Sequence, residues 1–224
     1  LEAARYKLTY HQQKTDKGTY SFCMCPGGYV LSSGTDEGGI VINGMSNFAR
    51  NSPWSNSALV VSVKAGRDFS DKDPLAGLEF QESIERKAYQ VSKELGSGKE
   101  LPAMTVEEFL AGKLNEDELP KTSCPSKLVK ADIRKILPKF VSQHLHEALR
   151  EFDRKMKGYS NAKAVLIAPE TRTSAPITIL RDRKSFESTS HKGLYPCGEG
   201  AGYAGGITSA AVDGIKVADS ILGI

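Results

Sequence analysis

Short apolar runs bounded by turn residues dominate the first 63 positions, and apolar residues spaced by three or four take over after them. The first region reads as β-rich. Tyr20-Ser21-Phe22-Cys23-Met24-Cys25 is a strand candidate ended by Pro26-Gly27-Gly28, and Tyr29-Val30-Leu31-Ser32 is expected to return as the second arm of a hairpin. Gly38-Gly39 precedes another short run, Ile40-Val41-Ile42. Residues 43–56, with the single tryptophan at Trp54, read as a loop. Ala58-Leu59-Val60-Val61-Ser62-Val63 is the clearest strand, continuous and β-branched, which predicts cover on both faces.

The period then changes. Asp73 is a candidate N-cap with Pro74 at the first helical position. Phe80, Ile84, Ala88, Val91 and Leu95 make one apolar stripe on a helix that Gly96-Ser97-Gly98 stops. Thr105-Val106-Glu107-Glu108 is a capping-box pattern that opens a short helix. Residues 112–126 read as a surface loop and 131–137 as a further short helix. Pro138 opens a stronger helix with Val141, Leu145, Ala148 or Leu149, Phe152 and Met156 on one face. Residues 164–168 and 177–180 are strand candidates. A final helix is predicted over 204–222. Ile207, Ala211, Ile215, Ala218 and Leu222 line one side, and Ser209, Asp213, Lys216 and Ser220 the other. The whole reads as an α+β fold, a mixed β-sheet with several helices.

Composition narrows the function classes. The 224 residues are 39% hydrophobic and 25% charged, with a net charge of +3. That balance gives no argument for nucleic acid or an anionic membrane surface. No run approaches the roughly 18 apolar residues of a membrane span, and the start lacks a signal-peptide pattern. Four dispersed cysteines, Cys23, Cys25, Cys124 and Cys197, form no disulfide framework and fit a reducing cytoplasm. With His11, His144, His146 and His191 they show no metal-ligand spacing, so no metal is expected. The chain begins Leu1-Glu2-Ala3-Ala4 without Met, and so is expected to be a piece of a longer protein.

The candidate chemistry concentrates near the end. A short apolar run, Leu194-Tyr195-Pro196-Cys197, leads into Gly198-Glu199-Gly200-Ala201-Gly202-Tyr203-Ala204-Gly205-Gly206-Ile207. This is the wiring of a strand, a glycine turn and a helix start. Glycine permits sharp turns and close ligand approach, and a helix N-terminus favours anionic or electron-rich atoms. Backbone N–H groups of Gly205, Gly206 and Ile207 are candidate cofactor contacts. The Glu199 carboxylate is a candidate acceptor for sugar or ribityl hydroxyls. The alternative is a turn in which the glycines only allow close packing. Cys23 and Cys25, two apart on a strand, would face one side. They are either a redox or ligand-facing pair or two small buried residues. Arg172 lies between two strand candidates. Its role is either structural or that of a bidentate partner for a substrate carboxylate or a charge near a reduced cofactor. His191 is a candidate proton relay, and His144 and His146 are expected to be solvated on a charged helix.

The segment from Leu194 to Ile207, continued by Ser209-Ala210-Ala211-Val212-Asp213-Gly214, resembles the second flavin-binding motif of two-dinucleotide-binding-domain flavoproteins. Tyr20 to Gly28, Gly44-Met45-Ser46, Asn56 to Val61, Pro74-Leu75-Ala76-Gly77 and Glu170 to Pro176 resemble a bacterial family of FAD-dependent dehydrogenase-like proteins. The resemblance implies FAD as cofactor, bound through Gly198, Glu199, Gly200, Gly202, Tyr203, Ala204, Gly205, Gly206 and Ile207. Cys23, Cys25 and Arg172 would face the substrate or the flavin. It also implies hydride transfer through the flavin with a small-molecule substrate. Residues 1–188 would be a domain covering the flavin and substrate, and 189–224 a strand, turn and helix completing the FAD domain. The family's N-terminal G-x-G-x-x-G unit has no counterpart here. The missing FAD-binding half is therefore an expected partner, and the chain alone is not expected to bind FAD or be active. The final helix is a candidate homo-oligomer contact. The rival reading is a non-catalytic ligand-binding or interaction domain that keeps the motif; a third is a different nucleotide at the turn.

Overall fold

The structure is a computed structural model describing residues 8–34 and 36–224. The first seven positions of the β-rich reading lie outside the described residues. The chain divides into two compact units. The first comprises Leu1–Lys64 with Glu82–Thr171, and the second Ala65–Gln81 with Arg172–Ile224. The architecture is α+β.

Among the described residues the first unit holds three sheets. β1 (Thr9–Gln12), β2 (Lys17–Pro26) and β5 (Ser55–Val61) form an antiparallel sheet in the order β1-β2-β5. β3 (Gly28–Ser32) and β4 (Ile42–Ser46) pair antiparallel. β6 (Leu101–Thr105) lies between β7 (Leu128–Lys130), its parallel neighbour, and β8 (Val165–Ile167), its antiparallel one.

Two expectations change here. No hairpin joins β2 to β3. Gly27, at φ 60, presses its backbone on that of Arg50, where a Cβ would come within 2.2 Å of the carbonyl carbon. The chain therefore leaves β2 and pairs with β4, which forms inside the stretch read as a loop. β5 is an outer strand of its sheet and has no fully buried residue. Its Leu59 packs on a cluster of Leu8, Ala148 and Phe152, so one packed face suffices for a run that suggested two. β6, for which the sequence pattern carried no expectation, is buried along all five residues. Its sequence, Leu-Pro-Ala-Met-Thr, has little β-propensity, and tertiary burial overrides that.

The helices follow their periodicity more closely. α1 (Ala76–Leu95) starts after a turn in which Asp73 Oδ1 accepts from the Leu75 N–H at 2.9 Å. Ile84, Ala88 and Ser92 form its buried line, whereas Leu95 is exposed. α2 (Val106–Ala111) has the full capping box. Thr105 Oγ1 accepts from the Glu108 N–H at 3.2 Å, and Glu108 Oε2 accepts from the Thr105 N–H at 2.9 Å. The short helix expected over 131–137 is a 3₁₀ turn, Ile133–Lys135. α3 (Lys139–Lys155) buries Leu145, Ala148, Leu149 and Phe152, the last meeting Tyr159 edge-on at 5.7 Å.

His144 is also buried on α3, contrary to the solvated role expected of it. Its Nδ1–H donates to the Phe140 carbonyl at 2.6 Å, and Nε2 pairs with Thr15 Oγ1 at 2.6 Å. His146 Nε2 donates to the Leu110 carbonyl at 3.2 Å. A polar spacing pattern does not reveal an imidazole whose two nitrogens are both satisfied inside.

In the second unit, α4 (Ile207–Leu222) is the principal element. Neither 177–180 nor 194–197 forms a strand. A strand needs a ladder neighbour, and these backbones are otherwise engaged. The Ile179 N–H donates to the Ala201 carbonyl at 3.1 Å, the Leu194 carbonyl accepts from Ser188 N–H at 2.7 Å, and the Pro196 carbonyl accepts from Arg181 at 2.7 Å. The predicted faces of α4 are also exchanged. Asp213 and Val217 are buried, while Ile207, Ile215 and Leu222 are exposed.

Candidate functional site

The glycine turn is fixed by a hub that the linear sequence does not display. Arg181 makes a bidentate pair with Asp213: Nη2 donates to Oδ1 at 2.6 Å and Nη1 to Oδ2 at 2.9 Å. Both side chains are nearly buried, at 8% and 12% exposure. The guanidinium also lies over the Tyr203 ring at 3.6 Å and the Phe186 ring at 4.7 Å, a stacked arrangement favourable to arginine. Asp213 Oδ2 accepts in addition from the Gly198 N–H at 2.9 Å. One α4 side chain thereby anchors the start of the turn. The Arg181 hydrogen bonds hold the Asp213 carboxyl below its ordinary range, with burial opposing and the Gly198 N–H assisting.

The turn closes on itself. The Gly202 N–H donates to the Glu199 carbonyl at 2.9 Å, and the Tyr203 N–H to the Gly198 carbonyl at 3.0 Å. Tyr203 Oη reaches the Ile179 carbonyl at 2.9 Å. The glycines divide into two kinds. Gly198 and Gly202 have φ 72 and 83, and a Cβ on Gly202 would meet the Ile177 carbonyl oxygen at 2.4 Å. The fold itself requires these two. Gly200 and Gly205 have nothing within 4 Å of a Cβ position, and Gly206 only Ser209 Oγ at 4.0 Å. Neither crowding nor a left-handed backbone demands glycine at those three.

Beyond Gly206 the helix start is open. Gly206 caps α4 without a side-chain bond, and Ile207 is 91% exposed. The first amides of a helix have no intrahelical acceptor, so this end presents donors and the positive end of the dipole. Glu199 is half-buried, and its carboxylate makes no hydrogen bond or ion pair among the described residues. The site therefore offers backbone donors, an acceptor carboxylate and positions free of side chains, a set that fits a cofactor carrying both phosphates and hydroxyls.

The other sequence candidates lie elsewhere in the chain. Cys23 and Cys25 belong to β2 in the first unit, both as free thiols, with Cys23 exposed and Cys25 buried. They do not share a strand face in the regular way, because the β2–β5 register shifts between Phe22 and Cys25. Arg172 is exposed at the first residue of the second unit's longer segment. His191 is exposed and pairs with Ser190 Oγ at 2.9 Å. Arg181 and Asp213 are the residues that sequence reasoning passed over. The available signal was an acid on the α4 register 15 residues after Gly198, the separation of their hydrogen bond.

A third arrangement, in the first unit, is structural. Glu108 lies 2.7 Å from Lys130 Nζ and accepts from the Asn115 N–H at 3.0 Å. Burial pushes its carboxyl up, and the bonds from Lys130, Asn115 and Thr105 outweigh that and bring it to about 2. Among the described residues no group of three or more His, Cys, Asp or Glu is placed to hold a metal ion, and no helix is long and apolar enough to cross a membrane.

Comparison with known proteins places this architecture. Residues 1–173 match the family described as FAD-dependent protein, C-terminal domain-like, and the chain belongs to that family. Over 225 aligned residues the chain is 44% identical to a Clostridium beijerinckii protein described as an uncharacterized protein. The alignment covers 99% of this chain and 41% of that relative, so the chain spans about two fifths of the relative's length. The matched family region contains Cys23, Cys25 and Arg172 and stops before the glycine turn.

Proposed function

We propose that this chain is the C-terminal portion of an FAD-dependent oxidoreductase and that the turn 198–206 with the start of α4 forms one part of its FAD site. Family membership supports the cofactor. The observation that carries the assignment to this turn is the set of three glycines, Gly200, Gly205 and Gly206, that the fold does not require. A position kept free of a side chain without structural need is suited to close approach by a ligand. FAD, when bound, supplies hydride exchange with a small-molecule substrate.

The chain's own residues bind and orient. The N–H groups of Gly205, Gly206 and Ile207 donate to the cofactor, and the Glu199 carboxylate accepts from its hydroxyls. Asp213 and Arg181 hold the turn against α4 so that these donors are set in advance, which lowers the ordering cost of binding. The remainder of the longer polypeptide would supply the rest of the cofactor site, in keeping with a role for 189–224 in completing an FAD domain and for the preceding residues in covering flavin and substrate.

The test uses the full-length protein. Flavin absorbance that bleaches with dithionite is the expected result. A full-length protein that stays colourless after incubation with excess FAD overturns the cofactor assignment and favours a non-catalytic binding domain. Gly205→Leu then tests the contact. Because a Cβ at 205 has nothing within 4 Å, the variant should fold normally yet retain flavin at least about tenfold more weakly, the loss of roughly one hydrogen-bonded contact. Unchanged retention removes Gly205 from the site.

A further inference from the structure

Cys23 and Cys25 lie on a strand, and a regular strand would keep their sulfurs apart. Two residues of extended chain rise about 6.6 Å, whereas a disulfide needs Cβ atoms about 3.5–4.5 Å apart. β2 is not regular at this point. Its register against β5 shifts between Phe22 and Cys25, and Cys23 adopts the left-handed conformation at φ 48. β2 carries one extra residue there, since three steps from Phe22 to Cys25 oppose two steps on β5, and the Cys25 thiol donates to the carbonyl oxygen of Cys23 at 3.5 Å. Gly28 makes room for it: a Cβ at 28 would come within 2.6 Å of the Cys25 Cβ. Both thiols are free. Cys23 is exposed, and Cys25 is buried at 7%. One thiol is thus open to a reagent from solution, and the second is held beside it under cover, the asymmetry of an attacking and a resolving cysteine.

We propose that Cys23 and Cys25 form a dithiol that closes to an intrachain disulfide by exchange with a low-molecular-weight disulfide. The Cys23 thiolate attacks one sulfur of the reagent, the reagent's S–S bond breaks, and one thiol leaves after taking up a proton. Cys25 then loses its proton to solvent and attacks the Cys23 sulfur. The mixed disulfide breaks, and the second reagent thiol departs. The two chain thiols are oxidised, and the reagent disulfide is reduced to two thiols. The FAD assignment plays no part in this exchange. Partial desolvation by the surrounding chain, then the neighbouring Cys25 thiol and then the Glu170 charge, hold Cys23 above the usual thiol range. Closure is therefore slow near neutral pH.

The test equilibrates the full-length protein with graded ratios of reduced and oxidised glutathione, quenches by alkylation under denaturing conditions and maps the peptides by mass spectrometry. Cys23 and Cys25 should lose alkylation together, with loss of two hydrogens and no glutathione adduct, and a Cys124→Ser, Cys197→Ser double variant should behave identically. Cys25→Ser should stop at a glutathione adduct on Cys23. Cys23→Ser, at an exposed position, should leave Cys25 alkylated at every ratio, and it keeps the test valid if the buried substitution unfolds the chain. Persistent adducts on Cys23 in the unsubstituted chain, pairing with Cys124 or Cys197, or two free thiols at every ratio would each overturn the proposal.

Discussion

Replacing Asp213 by alanine removes the acceptor of a nearly buried guanidinium and leaves the charge behind. Breaking a buried ion pair from one side costs about 3–5 kcal/mol, most of it the uncompensated charge. Two features moderate this here: Arg181 keeps its 2.7 Å bond to the Pro196 carbonyl and its stacking on Tyr203 and Phe186. One feature adds to it, since the Gly198 N–H loses its acceptor. The net expectation is about 3 kcal/mol, concentrated in the second unit. The single tryptophan, Trp54, belongs to the first unit, so its fluorescence is the wrong probe. Hydrogen exchange read on peptides covering 195–222 is the right one. Opening made easier by about 3 kcal/mol raises exchange there roughly 100-fold, and peptides covering 101–109 should be unaffected. Asp213→Leu combined with Arg181→Met should recover much of the protection, because an apolar pair leaves no buried charge. The acid response carries the same sign. The folded carboxyl is held below its unfolded value of 3.8, so its contribution is complete above that pH and is lost as pH falls through the lower folded value. An increase in exchange of less than about tenfold in the alanine variant would refute the hub as the anchor of the turn.

Three further outcomes are expected. Glu108 is lowered from 4.5 to about 2, which at about 1.4 kcal/mol per unit bounds its contribution at about 3 kcal/mol, reduced to about 2 by solvent screening around Lys130. Stability of the first unit, followed by Trp54 fluorescence in urea, should be full above pH 4.5 and fall by that amount toward pH 2, and Glu108→Gln should flatten the dependence. Gly202→Ala places a Cβ 2.4 Å from the Ile177 carbonyl oxygen at φ 83 and should cost about 1–3 kcal/mol. Gly200→Ala meets open space and should change stability by no more than about 0.5 kcal/mol by hydrogen exchange.

What could be read from the sequence was what depends on neighbours in the chain. The capping box at Thr105 and Glu108, the 20-residue span of α1 and the buried face of α3 from Leu145 to Phe152 are local periodicities, and all three are present. Pairing partners were not legible, because they depend on distant backbone. Nothing near Gly27 announces that Arg50 lies against it, and that contact decides whether β3 returns to β2. Propensity gave no sign of β6, where Pro102 and Ala103 occupy a buried central strand. In the candidate site the glycine turn was visible as composition, and the Arg181–Asp213 hub was not. Its members are 32 residues apart, and Asp213 falls on the polar register of a helix whose apolar stripe invited the opposite orientation.

That orientation bears on how the turn works. A helix that buried Ile207, Ile215 and Leu222 would direct Asp213 away from the turn, and the Gly198 N–H would lose its acceptor. By burying Asp213 and Val217 instead, α4 spends one side chain on fixing Gly198 and leaves its first turn exposed. The turn then has a rigid end and an open end. Gly198 is held by its hydrogen bond to Asp213 and Gly202 by its hydrogen bond to the Glu199 carbonyl, whereas a Cβ at Gly205 would meet open space and one at Gly206 only Ser209 Oγ at 4.0 Å. Preorganised donors next to a rigid anchor are what a phosphate or ring-oxygen site requires. A turn made only for packing would need just the first pair of glycines.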